Sequence, residues 1–513
     1  MSKGPLAAGK LGTPRLPTIV AVGASAGGLE AFSELLAGLP HDIAAPNGMA
    51  FVFLQHLQPG HLSLLANLLQ KATFLKVEDA REGILPEAGH VYVLPAGKEM
   101  ALRAGRLRLT ARSRNDISLP IDSFMNSLAK ERKSAAIGVV LAGTATDGTL
   151  GLEAIQAEGG ICFAQAEDST EFNGMARSAI ASGCVDIVLP PAGIARELAR
   201  IGRHPYVAPG AEAQKAAAVL LLAADSHRAY ASILDLVRRD SGMDFTEYRT
   251  STIGRRIARR MALRTLERPE EYLRYLREHP LEVAQLGKDI LIPATRFFRD
   301  AEVFEALKKK VLLPLVRRHA PASRPIRLWS VGCSTGEEAY SLAMIALECL
   351  GAQGGGGAMV QVFGTDLNEP AVRRAHIGRY GPDIAADISP ERLQRFFIKA
   401  DSGYQVSRTL REACTFARHN VVREAPFSRL NVVCCRNVMI YMETTLQRRL
   451  LPILHHALVP GGTLVLGSAA SAGAGLHLFK PLARANRKLK IYTKLGVSKP
   501  VHIPFPECAC PLK

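Results

Sequence analysis

Cysteine is scarce, with nine in 513 residues, and Cys162, Cys184, Cys333, Cys349 and Cys414 each stand alone. That spacing offers no disulfide framework and reads as reduced, mostly buried thiols. Cys434 and Cys435 are adjacent in an apparent strand, and Cys508 with Cys510 lacks the second pair that a zinc site needs; no metal is expected. Long apolar runs are missing too: none approaches the roughly 20 residues of a membrane-spanning helix, so no span is expected. Residues Met1 to Leu16 carry Lys3 and Lys10 but no apolar stretch followed by a small-residue cleavage site. That excludes a secretory signal peptide, and a cytoplasmic location is the expectation.

Basic residues, by contrast, are in excess. Lys and Arg number 64 against 47 Asp and Glu, for a formal charge of +17. An acidic partner is implied, whether nucleic acid, membrane surface or acidic protein face. The chain is also too long for one ordinary core, because domains of roughly 100–200 residues suggest about three units.

The pattern along the chain divides it. From Pro17 to Arg203, short β-branched runs alternate with helical patterns: Thr18 to Gly23, Met49 to Leu54, His90 to Leu94, Ile137 to Leu141, Gly160 to Ala164 and Val185 to Leu189. This predicts an α/β domain with a parallel sheet over 17–203. Pro205, Pro209 and Gly210 place a linker at 204–222. Strand signals then vanish over 223–312, where Ile233, Leu236 and Val237 and later Tyr272, Leu273, Tyr275 and Leu276 recur at helical spacing, predicting a small all-helical domain. A second α/β pattern covers 313–495, with strands at Ile326 to Val331, Val360 to Thr365, Leu430 to Cys435, Gly462 to Gly467 and Leu489 to Thr493. The expected fold class is two doubly wound parallel-sheet domains separated by a helical one, with tails at 1–16 and 496–513.

Three chemically matched residues fall at strand ends in the first domain. Gly23-Ala24-Ser25-Ala26-Gly27-Gly28 leads from a strand into a helix, His56 follows the next strand, and Asp147 follows another in Gly143-Thr144-Ala145-Thr146-Asp147-Gly148. A serine held on such a turn, with glycines that let backbone N–H groups approach an oxyanion, suits nucleophilic acyl chemistry. Each residue alone also has a plainer use, as a helix cap, a surface histidine or an Asx turn. Ser25 occupies the middle glycine of a Gly-x-Gly-x-x-Gly fingerprint, which argues against a phosphate loop. The order Ser, His, Asp also differs from that of α/β-hydrolases. Over nearly all of Pro17 to Pro191, these pieces together with His90-Val91-Tyr92-Val93-Leu94-Pro95 and Gly174-Met175 resemble the chemoreceptor protein-glutamate methylesterase family. The resemblance implies Ser25 as nucleophile, His56 as general base and then acid, and Asp147 as the group orienting the imidazole, hydrolysing glutamate γ-methyl esters. Glutamine deamidation at the same positions is a further implied reaction. Ala145 departs from the family's glycine, and no receiver domain is expected before Pro17.

The second α/β region opens with Leu328-Trp329-Ser330-Val331-Gly332-Cys333-Ser334-Thr335-Gly336-Glu337, a strand, a glycine-bounded turn and a helix start, and the next strand ends in Asp366. A nucleotide-like ligand can approach such a turn, with the acid placed for ribose hydroxyls; glycines that merely form a tight turn are the alternative. Thr295-Arg296-Phe297-Phe298-Arg299-Asp300 and Cys435-Arg436-Asn437-Val438-Met439-Ile440-Tyr441 surround it. From about Phe245 to Tyr492 the chain resembles the chemoreceptor methyltransferase family. That resemblance implies S-adenosyl-L-methionine as cofactor, contacts from Thr295, Arg299, Gly332, Gly336, Glu337, Asp366, Asn420 and Arg436, and Arg299 and Tyr441 facing the substrate carboxylate. A carboxylate is already an anion at neutral pH, so positioning rather than a strong base is the requirement. Asn431 and Ala470 depart from the family pattern, and Gly403-Tyr404-Gln405-Val406 looks like the short β insertion that relatives use for receptor docking.

Between Thr252 and Leu266, Arg255 with Arg259, and Arg256 with Arg260 and Arg264, repeat at helical spacing opposite Ile253, Ile257 and Met261. An arginine-lined helix lying along the acidic helices of a chemoreceptor-like protein is the expectation, and no nucleic-acid signature accompanies it. The resemblances together imply a bifunctional cytoplasmic adaptation enzyme that adds and removes glutamate methyl groups. The alternative is a receptor-binding signalling scaffold with one or both sites inactive.

Overall fold

A computed structural model describes residues 17–45, 48–55, 64–112, 119–207, 224–291, 295–319, 325–351, 359–381, 384–385, 387–400, 403–467, 477–482 and 489–496. The chain forms two compact units. One holds Met1–Met243 with Ile253–Ile290, the other Asp244–Thr252 with Leu291–Lys513.

In the first unit the strands are β1 (Thr18–Ala24), β2 (Met49–Gln55), β3 (Lys76–Asp79), β4 (His90–Val93), β5 (Lys98–Arg103), β6 (Arg106–Ala111), β7 (Ala136–Val140), β8 (Ile161–Gln165) and β9 (Ile187–Leu189). Seven of them make a sheet in the order β3-β4-β2-β1-β7-β8-β9, parallel throughout, and β5 and β6 form a separate hairpin. The helices are α1 (Gly28–Ala37), α2 (Leu65–Gln70), α3 (Pro120–Arg132), α4 (Thr149–Ala157), α5 (Gly174–Ser182) and α6 (Pro191–Gly202). Alternation along each strand fills both faces: Val20, Val22 and Ala24 of β1 pack with Leu35, Leu36 and Leu198, while Ile19 and Ala21 pack with Phe124, Leu128 and Leu152. Chain order reverses between β1 and β7, the switch point at which open α/β sheets leave a crevice beyond the strand ends.

Among the described residues four more helices follow, α7 (Ala224–Ser241), α8 (Thr250–Leu263), α9 (Pro269–Glu278) and α10 (Pro280–Ile290). Ala258, Ala262 and Leu263 of α8 join the core containing Leu198, Ile201, Tyr206 and Val207. This corrects the expected arginine-lined groove. Arg259 is fully buried, its Nη2 on Asp186, its Nη1 on Asp289 and its Nε on the carbonyl of Gly160. Arg260 is 6 % exposed and grips Glu282 with two N–H groups at 2.7 and 2.6 Å. Arg256 donates to the carbonyls of Gln156 and Ala157. These guanidiniums are engaged within the unit, since buried cations need partners; Arg264 and Arg255 are exposed, and Arg264 also donates to Glu282.

The second unit contains α11 (Ala301–Leu307), α12 (Leu313–His319), β10 (Ile326–Val331), α13 (Glu337–Gly351), β11 (Val360–Asp366), α14 (Glu369–Ile377), β12 (Arg379–Tyr380), α15 (Pro390–Phe396), β13 (Phe397–Ala400), β14 (Gly403–Val406), α16 (Arg408–Glu412), β15 (Cys414–Arg418), β16 (Leu430–Cys435), α17 (Thr444–Ala457), β17 (Leu458–Leu466), β18 (Phe479–Pro481) and β19 (Ile491–Lys494). Its sheet runs β15-β11-β10-β16-β17-β19-β18, in which β19 is antiparallel to both of its neighbours and the other pairings are parallel. The Gly403 segment pairs with β12 and β13 in a small three-stranded sheet of its own. The second reversal lies between β10 and β16.

Candidate functional site

Ser25 sits one residue beyond β1, where its N–H donates to the carbonyl of Ala142 at 2.8 Å. Its own carbonyl accepts from Gly28 N–H at 3.0 Å and from the Gln55 side-chain amide at 3.2 Å. The amides of Ser25 and Gly28 are therefore spent inside the fold and do not face an oxyanion. The chain turns into α1 through Gly27, whose φ of +71° suits glycine. A Cβ on Gly143 would fall 3.1 Å from Ser25 Cβ and 2.0 Å from Met175 Sδ, so only glycine lets the loop after β7 lie against the serine. Gln55, the last residue of β2, pairs in register with Ala24, and its Oε1 is buried with no partner. His56, the next residue in the chain, lies outside the described residues.

Asp147 is 1 % exposed at the carboxyl end of β7, the strand beside β1. Its Oδ2 and Oδ1 accept from the N–H groups of Ile121 and Asp122 at 3.1 and 2.9 Å, which places the carboxylate on the positive end of α3. Ala145 is exposed and has no positive φ, so an alanine there is free of backbone strain.

In the second unit, the turn after β10 is tied to the end of β11. The N–H groups of Gly332 and Cys333 both donate to the carbonyl of Thr365, and Ser334 N–H donates to Asp366 Oδ2 at 2.9 Å. Gly332 has a φ of +69°, and a Cβ there would meet Val438 Cγ2 at 2.2 Å, so packing against this chain demands the glycine. Gly336, with a φ of +99°, is hemmed in by Ala375 and the Tyr380 hydroxyl. Asp366 is pushed above the usual carboxylate range by burial, against the pull of the N–H groups of Asn368, Ser334 and Leu367. Glu337 accepts from Thr335 Oγ1 at 2.8 and 2.7 Å. Asn420 accepts from the N–H groups of Val422 and Arg423, holding the turn after β15.

Arg436 is 3 % exposed and spans three groups: Nη1 donates to Glu338 at 3.1 Å, and Nη2 donates to the Arg299 carbonyl at 2.5 Å and to Asp300 at 2.7 Å. Ser330 Oγ donates to the other Glu338 oxygen. Burial raises the Glu338 carboxyl, while Arg436 and Arg299 oppose that rise. Arg299 is half-buried and Thr295 partly exposed nearby in sequence, whereas Tyr441 is 40 % exposed in the turn after β16. The structure thus gathers Arg299, Arg436, Glu338 and Asp300 in one network, and puts Asp366 with Ser334 in another, at the strand ends. Asn431 lies elsewhere, at the opposite end of β16, where its Oδ1 accepts from Arg327 N–H. Ala470 lies outside the described residues.

Sequence reasoning missed Asp122, Glu338, Asp300 and Tyr248. Asp122 follows Pro120 at a helix start, a common place for an acid, and Glu338 adjoins the more conspicuous Glu337. Tyr248 packs, partly buried, against the core around Trp329, with the Asp366 charge among its neighbours.

Residues 20–198 match the CheB methylesterase family, 228–291 the all-alpha domain of CheR methyltransferase and 293–482 its SAM binding domain. A "Putative methyltransferase Cher3" of Pseudomonas putida is 32 % identical over 259 residues, 48 % of this chain and 89 % of that protein. A "Protein-glutamate methylesterase/protein-glutamine glutaminase 4" of Burkholderia thailandensis is 37 % identical over 196 residues, 38 % of this chain and 56 % of that protein. An "Uncharacterized 104.1 kDa protein in hypE 3'region" of Rhodobacter capsulatus is 35 % identical over 419 residues, 79 % of this chain; this chain spans 44 % of its length. The SAM binding domain takes S-adenosylmethionine, and the residues here fit it: Ser334 Oγ is buried without a partner beside the part-buried carboxylate of Asp366, which can accept hydroxyls, and Arg436 Nε is buried without a partner in the neighbouring network. The chain belongs to the chemotaxis methylation family, as a fusion of a CheB methylesterase domain with the all-alpha and SAM-binding domains of CheR.

Proposed function

We propose that this chain is a bifunctional adaptation enzyme, hydrolysing glutamate γ-methyl esters in its first domain and methylating glutamate carboxylates of chemoreceptor-like proteins in its last. In the esterase half Ser25 is the nucleophile, His56 takes its proton and returns it to departing methanol, and Asp147 orients the imidazole. What supports this most is the buried, amide-held Asp147 in the loop after β7, the strand next to β1, which Ser25 follows.

In the transferase half, Thr295, Arg299, Gly332, Gly336, Glu337, Asp366, Asn420 and Arg436 hold S-adenosylmethionine, which supplies an electrophilic methyl group when bound. Asp366 accepts hydrogen bonds from its hydroxyls. Arg299, fixed through its carbonyl by Arg436, and Tyr441 orient the incoming glutamate carboxylate, whose charge needs no base to develop. The partner is the cytoplasmic, acidic helical part of a chemoreceptor-like protein, consistent with the +17 charge.

The test is to incubate the protein with methyl-labelled S-adenosylmethionine and receptor cytoplasmic fragments. Labelled ester should accumulate beyond wild type with Ser25→Ala and fail to form with Arg299→Ala. Absence of label on the fragment with every variant would instead support a scaffold.

A further inference from the structure

Two helices exchange carboxyl caps behind the esterase site. Asp147, which precedes α4, caps α3 through the N–H groups of Ile121 and Asp122. Asp122, in the first turn of α3, returns the contact: its Oδ1 accepts from Gly148 N–H at 2.9 Å and from Gly151 N–H at 2.6 Å, at the start of α4. The Asp147 charge lies close enough to raise the Asp122 carboxyl. Asp122 and Asp147 are 5 % and 1 % exposed.

Two carboxylates in contact inside a protein do not both ionise; they share one proton. We propose that Asp122 is a positioning residue of the esterase, a neutral carboxyl that donates a hydrogen bond to Asp147 and holds that side chain in its orientation. The inference rests on the reading of Ser25 and Asp147 as parts of the esterase site. Burial and the Asp147 charge push Asp122 up to about 8, against the pull of the Gly151 and Gly148 amides.

Among the described residues, the charged groups around that contact come from the elements packed on α3. The elements packed on α3 are β1, β2, β5, β7, α4 and the turn at Lys133–Ala135. Strands β1, β2 and β7 carry no ionisable side chain; β5 brings Lys98, Glu99 and Arg103, α4 Glu153, and the turn Lys133. On α3 itself stand Lys130, Glu131 and Arg132, at its far end.

Above a pH of about 8, Asp122 loses the proton it donates, so esterase kcat should fall on the alkaline side. Asp122→Asn keeps a donor for Asp147 and an acceptor for Gly148 and Gly151 but cannot ionise. With a methyl-labelled receptor fragment as substrate, the full chain carrying Asp122→Asn should keep kcat within about twofold at pH 7 and lose the alkaline fall, a swap of one hydrogen-bond donor for another costing little. Asp122→Ala should lower kcat roughly tenfold or more with KM little changed, its fold checked by circular dichroism. Infrared spectroscopy gives a second readout, a protonated-carboxyl band in wild type that bleaches as pH passes about 8 and is missing in Asp122→Asn.

An Asp122→Asn profile that superposes on wild type, or a loss as large as in Asp122→Ala, would overturn the inference, as would the lack of the infrared band. Ser25→Ala separates the failures. If that variant is inert while Asp122→Asn behaves as wild type, only the role of Asp122 falls; if it hydrolyses as fast as wild type, the esterase reading falls with it.

Discussion

Replacing Arg259 by methionine should destabilise the first unit by about 3–5 kcal/mol, the usual cost of removing one partner from a buried ion network. The structure explains the size. Arg259 is fully buried, and it neutralises Asp186 and Asp289, whose side chains are 3 % and 8 % exposed. It also satisfies the Gly160 carbonyl. Methionine fills much of the volume but leaves Asp186 with only the Cys162 N–H and leaves Asp289 to Arg260, 3.8 Å away.

The loss should depend on pH, and the sign follows from linkage. Burial already raises the Asp186 carboxyl, with Arg259 pulling against it. Without the arginine, the folded-state value rises further above that of the unfolded chain. Stability from such a group is present at low pH and fades as pH rises through the folded value. Urea unfolding should therefore show a deficit at pH 7.5 that shrinks at pH 5, and adding Asp186→Asn should recover part of it at pH 7.5. A variant within about 1 kcal/mol of wild type at pH 7.5, or a deficit that is constant with pH, would refute this account of the network.

Gly332→Ala should lower stability by about 1–3 kcal/mol, since its φ of +69° and the 2.2 Å approach to Val438 both oppose a side chain. Thermal unfolding checks this, and adding Val438→Ala should recover the steric part but not the strain. Asp366→Asn should weaken S-adenosylmethionine binding roughly tenfold or more, because a hydrogen bond to a charged group contributes about 1.5–3 kcal/mol. In the wild type, calorimetry should show binding weakening on acidification at a higher pH than an ordinary carboxylate would give, given the raised Asp366.

Much of the fold was legible because buried parallel strands need unbroken β-branched and apolar runs, and those runs stand out in β1, β2, β7, β10 and β16. Strand β3, Lys-Val-Glu-Asp, and strand β6, Arg-Leu-Arg-Leu-Thr-Ala, are short and polar at the sheet edge or in the hairpin, and carry no such signal. Strand β19 runs antiparallel to its neighbours β17 and β18, a direction that the glycine- and serine-rich stretch before them does not fix. At the sites, Ser25, Asp147, Arg436 and Asp366 were visible because strand ends mark them. Asp122 was not, because its importance lies in a contact 25 residues along the chain with Asp147. The arginines of α8 showed the right periodicity but not their fate: an arginine stripe looks the same in sequence whether it meets an acidic partner or Asp186, Asp289 and Glu282 of its own chain.

The most direct measurement of the central claim is release of volatile labelled methanol when the full chain, methyl-labelled S-adenosylmethionine and a receptor cytoplasmic fragment are mixed. Continuous methanol release by wild type, none from Arg299→Ala for want of ester, and a trapped, stable ester with Ser25→Ala is the expected pattern. Methanol appearing at the wild-type rate with Ser25→Ala, or none from wild type while ester accumulates on the fragment, would contradict a chain that both writes and erases the methyl mark.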